Sequence, residues 1–244
     1  MWVFAITDLK IRYKNSVLGI LWSFLEPLSM LAVLYFIFNY VFPSKIPHYP
    51  LYLLLGLITW NYFTRGTSAG MNSIQARKGL IVTISFPKIT LPVGAVVTSS
   101  LMMCFELLVF GFFMVLFQFI PPITILLFPI FLFFVFLLNV GIALPLSIAS
   151  IKYKDIGYIW QVITYAGFFL TPVIYNLDVF PAQTRSILLI NPMAQIIKMS
   201  HDAVLYGISP YIQDVIYTGI ISIMVFLVGL TIFMKKERII SDDL

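Results

Sequence analysis

The stretch that decides the fold is residues 8–28, DLKIRYKNSVLGILWSFLEPL. Its three cations, Lys10, Arg12 and Lys14, directly precede an apolar run over residues 18–42 in which Glu26 is the one acidic or basic residue. At about 1.5 Å per residue, this run is long enough to cross a hydrocarbon core of roughly 30 Å. Because Lys and Arg resist translocation, the pattern predicts a first membrane span that leaves the N-terminus in the cytoplasm.

The composition indicates an integral membrane protein. The 244 residues are 61% hydrophobic and 10% charged, whereas about 25% of the residues in soluble domains are charged. The net charge is +5, but the cations cluster at predicted membrane edges. We therefore expect contacts with membrane lipids and no nucleic-acid partner. A cleaved signal peptide is the alternative for the N-terminus, but the first apolar run exceeds the usual length of about 7–15 residues.

Apolar runs and the breaks between them predict an all-α membrane protein with six transmembrane helices in a single domain. A short helix at residues 1–14 is expected to lie on the membrane surface, with a plain cytoplasmic extension as the alternative. Residues 176–213 hold apolar pieces too short to cross, which favours outer re-entrant helices between spans five and six. The spans are expected near residues 18–42, 51–70, 93–119, 123–150, 156–175 and 215–234.

The positions of Lys and Arg support this topology. Eleven of the 15 fall in segments predicted to be cytoplasmic, and three fall in predicted outer loops. This bias predicts that both termini lie in the cytoplasm.

Three charged residues fall inside predicted spans: Glu26, Arg65 and Glu106. Each costs roughly 2.5–3.5 kcal/mol near the centre of a span if it is unpaired. Glu26 and Arg65 lie at comparable depths from the cytoplasmic ends of their helices, so we predict that they form an ion pair. The alternative is two separate side chains that snorkel or bond to backbone. Glu106 lies deeper, and the sequence offers it no evident partner.

Motifs that would indicate an enzyme are missing from the sequence. It contains no GxxxxGK[ST] phosphate loop, no HExxH and no metal-type spacing of Cys and His. We therefore predict no catalytic residue, no metal ligand and no cofactor in this chain. A polytopic membrane enzyme of envelope synthesis remains the alternative from another class.

Aromatic residues are abundant, with 4 Trp, 13 Tyr and 23 Phe, and many fall inside spans rather than only at membrane interfaces. Aromatic faces stack on sugar rings, and a sugar chain can slide along them because no single hydrogen-bond pattern is required. Most of these side chains are expected to pack or to face lipid, but a minority is predicted to line a path. The candidates are Trp22, Phe24, Tyr35, Trp60, Tyr62, Trp160, Tyr165, Phe168, Phe169 and Tyr175.

Three motifs occur together and in order: RYKNSVLGILWSFLEPL at residues 12–28, FPKITLP at 86–92, and TPVIY at 171–175, which is followed by Pro181 and NPM at 191–193. The chain resembles, over nearly its whole length, ABC-2 (type V exporter-like) permeases that export polysaccharides, including O-antigen and teichoic acid. The resemblance implies the transmembrane subunit of an exporter for a lipid-linked polysaccharide in a prokaryotic cytoplasmic (inner) membrane. A permease for a drug or a lipid is the alternative.

The resemblance also implies partners and roles for particular residues. The partners are a second copy of the chain, two ABC subunits that bind ATP and Mg, and a lipid-linked glycan. Residues 71–92 would hold a coupling helix for the ATPase, and the loop near Asp155 a second contact. The candidates are Asn72, Gln75, Arg77, Lys78, Lys152, Lys154 and Asp155. Arg12, Lys14 and Arg65 are candidates for the lipid pyrophosphate, with a simple orientation role as the alternative.

Overall fold

The computed structural model describes residues 22–37, 46–83 and 86–237. These ranges form nine α-helices and no strand, so the predicted all-helical class is confirmed for them. The predicted surface helix, with Arg12 and Lys14, lies outside the described residues. The helices are α1 Trp22–Phe36, α2 Tyr49–Asn72, α3 Lys78–Thr83, α4 Thr90–Leu116, α5 Phe128–Lys152, α6 Ile156–Phe169, α7 Ala182–Leu188, α8 Pro192–His201 and α9 Ile212–Lys236.

Helix α2 is the centre of the bundle. It packs against α1, α4, α5, α6 and α8, and most of its side chains are buried. Because protein rather than lipid surrounds it, this helix tolerates polar residues such as Thr59 and Thr67, whose hydroxyls bond back to carbonyls one turn earlier.

Three helical segments are long and apolar enough to cross a membrane among the residues that the structure describes: Thr90–Leu116, Ile123–Lys152 and Ile212–Lys236. The second of these combines a 3-10 turn, Ile123–Leu127, with α5. Their apolar character explains why hydropathy alone located them within a few residues. We call the end of the bundle at the N-terminus of α2 the outer end, as the charge bias predicts, and the opposite end the inner end.

Helix α6 is shorter than the predicted fifth span, which we expected to reach residue 175. It covers 14 residues, or about 21 Å at 1.5 Å per residue. The chain leaves the helix at Leu170, two residues before Pro172, whose ring fixes φ and removes an N–H donor. Residues 170–175 instead form a turn at the outer end of the bundle.

Two tyrosines of α2 hold this outer turn. The hydroxyl of Tyr52 lies 3.0 Å from the carbonyl oxygen of Pro172 and 2.7 Å from that of Tyr175. The hydroxyl of Tyr49 donates to the carbonyl of Ile174 at 2.9 Å. Since backbone carbonyls in a turn have no helical partner, the two hydroxyls supply donors to carbonyl oxygens that would otherwise lack them.

Two short helices, α7 and α8, follow the turn. They contain 7 and 10 residues, so neither can cross a membrane alone. Helix α8 packs against α2, α5 and α9, and Asn191 caps it by accepting from the backbone N–H of Met193 at 3.0 Å. A π-helical turn, Asp202–Tyr206, extends α8 and ends at Gly207, whose left-handed φ of 68° suits glycine.

Candidate functional site

A cavity of about 600 Å³ lies between α1, α2 and α6. Four of the predicted path aromatics line it: Trp60, Tyr165, Phe168 and Phe169. The ring of Trp60 lies 6.2 Å from the ring of Phe168 in an edge-on arrangement. The rest of the wall is mostly apolar and includes Met30, Val33 and Leu57. We call this space the aromatic cavity.

Gly167 makes room for the indole of Trp60. A Cβ atom at position 167 would lie 2.8 Å from Cη2 of Trp60, closer than such atoms approach in folded proteins. The glycine therefore lets α6 approach α2 at the level of the cavity and fixes the position of the indole.

The aromatic cavity also contains polar groups that the sequence did not single out. Asn61 and Thr64 reach it from α2, and Thr164 reaches it from α6. Thr64 and Thr164 bond to carbonyls in their own helices. The sequence signal that would have found the α2 residues is their spacing, since positions 60, 61 and 64 share one helical face with Leu57. Sparse polar groups among aromatic rings suit a ligand that presents both hydroxyls and apolar ring faces.

The other predicted aromatics lie elsewhere. Tyr62 is buried on another side of α2, where its hydroxyl lies 2.8 Å from that of Ser100. The indole N–H of Trp160 donates to Thr67 at 3.1 Å. Tyr175 lies in the outer turn, and Tyr35 is exposed on α1 outside the cavity lining. The side chains of Trp22 and Phe24 lie outside the described residues.

Arg65 forms an ion pair with Glu106, a partner that the sequence did not suggest, and its predicted pairing with Glu26 stays a prediction. Its Nη1 lies 2.6 Å from Oε1 of Glu106, and the two side chains are 12% and 1% exposed. The side chain of Glu26 lies outside the described residues. The contact also corrects the expectation that Glu106 lacks an evident partner.

The antiparallel packing of α2 and α4 explains this pairing. Tyr62 contacts Ser100, whereas Gly70, farther along α2, lies beside Val96, which is earlier in α4. Side chains on a helix lean towards its N-terminus. Arg65 therefore leans towards the outer end and Glu106 towards the inner end, so the two groups meet between their backbone levels. Depth along each helix, which the sequence analysis used, does not include this lean, so it gave no sign of the contact between Arg65 and Glu106.

The predicted coupling residues lie at the inner end. A 3-10 turn, Gln75–Arg77, follows α2 and leads into α3. Ile74 is fully buried in a cluster with Leu91 and Phe233, and this burial anchors the segment to α4 and α9. The exposed coupling candidates are Asn72, Gln75, Lys78, Lys152, Lys154 and Asp155, and Arg77 is half-buried.

Hydrogen bonds join the two predicted coupling segments. The side-chain amide of Gln75 donates to the carbonyl of Ser150, and the hydroxyl of Ser150 donates to the carbonyl of Met71 at 3.0 Å. The loop at residues 152–155 begins directly after this contact. One composite surface at the inner end therefore contains both segments.

Long apolar helices around a central helix that carries polar residues, with a lateral cavity in the wall, form the architecture of a polytopic membrane protein. The chain belongs to the ABC-2 type transporter family, whose model matches residues 1–205. It is therefore a transporter permease by family rather than a catalytic enzyme. Within the described residues, no group of three or more His, Cys, Asp or Glu is placed to hold a metal ion.

Relatives match the chain over nearly its full length. An O-antigen export system permease protein RfbA of Klebsiella pneumoniae is 30% identical over 233 residues, which cover 94% of this chain and 89% of the relative. The O-antigen export system permease protein RfbA of Myxococcus xanthus is 27% identical over 243 residues, which cover 97% of this chain and 92% of the relative. The polysialic acid transport protein KpsM of Escherichia coli is 23% identical, with 95% and 91% covered.

Proposed function

We propose that this chain is the permease subunit of an ATP-driven exporter that moves a lipid-linked cell-surface polysaccharide, such as O-antigen or teichoic acid, across the cytoplasmic membrane. The names of its relatives, which refer to export of O-antigen and transport of polysialic acid, support this class of cargo. The aromatic cavity supports it on separate physical grounds.

The observation that carries the proposal is the composition of the aromatic cavity. Trp60, Tyr165, Phe168 and Phe169 supply flat apolar faces, while Asn61 supplies an amide. A sugar ring has an apolar face and a rim of hydroxyls, so it fits both kinds of group. Because stacking demands no fixed hydrogen-bond pattern, successive sugars can pass the same rings, and no single position binds a sugar tightly enough to stop the chain.

A second copy of the chain would complete the path. Tyr165 and Phe169 are each 65% exposed although they line the cavity. Gln161 lies on the exposed side of α6 and donates to the hydroxyl of Tyr165 at 3.1 Å. Polar groups are unfavourable against lipid tails, so this face suits protein or water better. Two copies related by a two-fold axis, with these faces opposed, would join two cavities into one channel.

Two separate ABC subunits would bind ATP and Mg and drive the cycle. They would press on the composite inner surface formed by residues 72–78 and 152–155. The bond between Gln75 and Ser150 would pass that force to the end of α5, and buried Ile74 would pass it to α4 and α9.

The topology in this proposal has six spans, both termini in the cytoplasm, and α7 and α8 as re-entrant helices at the outer face. Arg12 and Lys14 would meet the lipid pyrophosphate at the inner leaflet. Arg65 is the third candidate, although one nitrogen of its guanidinium already contacts Glu106.

Reconstitution tests the proposal. The chain and its ABC partner are placed in proteoliposomes with a lipid-linked glycan on the ATP-accessible side, and exposure of the glycan on the far side is measured with a glycosidase. We expect exposure that requires ATP and both subunits. Movement of a labelled phospholipid without movement of the glycan would contradict the proposal and favour a lipid exporter.

A further inference from the structure

A second cavity, of about 410 Å³, lies at the outer end of the bundle. It shares no lining residue with the aromatic cavity. Its walls come from the start of α2, the outer turn, α7, α8 and the π-helical turn. We call it the outer cavity. Four charged side chains surround it: Asp178, Arg185, Lys198 and Asp202.

The charges of the outer cavity are matched in pairs. Nζ of Lys198 lies 2.7 Å from Oδ2 of Asp202, and Nη2 of Arg185 lies 3.2 Å from Oδ1 of Asp178. The four groups therefore sum to zero charge, and each cation already faces a carboxylate. An anionic ligand would have to compete with these carboxylates, and a cation with the Lys and Arg. Carboxylates can still accept further hydrogen bonds, because each has about four lone-pair sites.

The wall of the outer cavity that α2 and α8 contribute is aromatic. The imidazole of His201 stacks on the ring of Tyr52 with centroids 3.6 Å apart, and its Nε2 lies 3.0 Å from the carbonyl oxygen of Tyr52. Since Nε2 faces an acceptor, it carries the proton, which leaves Nδ1 of a neutral ring as an acceptor. That atom is buried and has no hydrogen-bond partner among the residues that the structure describes, although the ring, 2% exposed, lines the cavity.

Tyr206 adds a hydroxyl from the π-helical turn. Burial, reinforced by the nearby Asp202 carboxylate, raises the pKa of Tyr206 to about 12, so its hydroxyl stays protonated near neutral pH. Asn176 supplies an amide, and Pro172 and Leu177 supply apolar surface.

We propose that the outer cavity binds one neutral sugar unit of the polysaccharide as it emerges. This inference rests on the proposed function. A neutral sugar presents several hydroxyls, each both donor and acceptor, together with an apolar face. Among the described residues, the cavity offers carboxylates, an amide, a phenol and aromatic surface, and its charged side chains sum to zero. Its volume falls in the range of roughly 300–1,000 Å³ that small-molecule sites occupy.

Such a site would retain the polysaccharide between successive rounds of ATP hydrolysis. A sugar bound at the outer end would resist sliding of the chain back towards the cytoplasm while the ATPase resets. Weak binding suits this role, since each unit must also leave. Millimolar affinity corresponds to about −4 kcal/mol, which retains a sugar briefly without trapping it.

Saturation-transfer NMR on the exporter complex in nanodiscs tests the inference. The probes are maltose and α-1,2-mannobiose as neutral disaccharides and 3′-sialyllactose as an acidic one. We expect millimolar, saturable binding of a neutral probe. Asp202→Asn removes the charged acceptor and should weaken it about tenfold, as expected for a hydrogen bond to a charged group. The matched control is Asp214→Asn in the first turn of α9, outside the cavity.

Two further variants keep the test decisive. Tyr206→Phe retains the ring and should weaken binding about threefold even if Asp202→Asn fails to fold. Tyr165→Ala with Phe169→Ala alters only the aromatic cavity and should leave the Asp202-dependent binding intact. The inference is overturned if neither neutral probe binds, if only the acidic probe binds, or if both cavity variants behave like the Asp214 control. If glycan export persists and both cavity variants bind the disaccharide normally, the inference fails and the proposed function stands. If the disaccharide binds but no glycan is exported, the proposed function fails and the sugar site stands.

Discussion

Gly229 of α9 lies directly against the backbone of Gly141 in α5. A Cβ atom at position 229 would lie 1.9 Å from the carbonyl oxygen of Gly141, and one at 141 would lie 2.7 Å from the backbone of Phe226. Small residues at both positions let the two helix axes approach closely, which is how helices gain van der Waals contact where no hydrophobic effect drives association.

Gly229→Ala should therefore destabilise the protein by about 1–3 kcal/mol, the usual cost of overpacking. The matched control is Gly111→Ala in α4, where an added Cβ meets no atom within 4 Å from any other part of the described structure. That change should be neutral or stabilising by about 0.5–1 kcal/mol, because alanine favours a helix over glycine. Thermal unfolding in detergent measures both, and equal stability of the two variants would refute the close crossing.

Glu106→Gln should destabilise the protein by roughly 3–5 kcal/mol, because it leaves the buried charge of Arg65 without its counter-ion. Arg65→Gln combined with Glu106→Gln should recover part of the loss, since neither charge remains. Glu26→Gln is the comparison. If Glu26→Gln reproduces the defect and Glu106→Gln does not, Arg65 pairs with Glu26 as the sequence first indicated.

Tyr52→Phe should lower the free energy of unfolding by about 1–3 kcal/mol, because it leaves the carbonyls of Pro172 and Tyr175 without this donor. Tyr49→Phe, which affects the single bond to Ile174, should cost less. Tyr211→Phe, at a 79% exposed position, serves as the control and should change stability little. Denaturation followed by tryptophan fluorescence ranks the three, and an equal effect of all three would exclude the assigned role.

Tyr165→Ala and Phe169→Ala should reduce glycan export severalfold without altering stability by more than about 0.5 kcal/mol, since both side chains are mostly exposed. Phe112→Ala in α4 is matched in kind, because that side chain is 63% exposed and lies outside the aromatic cavity. Export in the reconstituted system is the measurement. A loss with Phe112→Ala as large as with the cavity variants would indicate a general effect of aromatic removal.

Reversing two charges of the coupling segment, Arg77→Glu with Lys78→Glu, should separate ATP hydrolysis from export in the assembled transporter. Lys235→Glu with Lys236→Glu reverses the same number of charges at the inner end of α9 and should leave coupling intact. Glycan exported per ATP hydrolysed is the quantity to compare. Unchanged export in the first variant would remove that segment from the coupling surface.

Much of the fold followed from hydropathy. The apolar stretches of α4, α5 and α9 were located within a few residues because their side chains are apolar around most of the helix. The end of α6 was misplaced because residues 170–175 are apolar enough to read as helix. What ends the helix there is Pro172 and the bonds from Tyr49 and Tyr52, which are more than a hundred residues away in sequence.

The candidate site was predicted in part for a similar reason. Aromatic content selected Trp60 and Phe168, which line the aromatic cavity, and also Tyr62, which packs on another side of the same helix. Which face of a helix meets which neighbour depends on lateral packing, and neither periodicity nor depth supplies it. The sequence missed Glu106 as a partner of Arg65 for the same reason.

The central position of α2 also bears on how such transporters diversify. This helix contributes to the aromatic cavity, the buried ion pair and the outer turn, so substitutions along it would disturb more than one of these features. Helix α6 borders the same cavity, yet most of its surface has no neighbour among the described residues. Among homologous exporters, we expect the substitutions that change cargo preference to accumulate on α6, whereas the sequence of α2 should vary less.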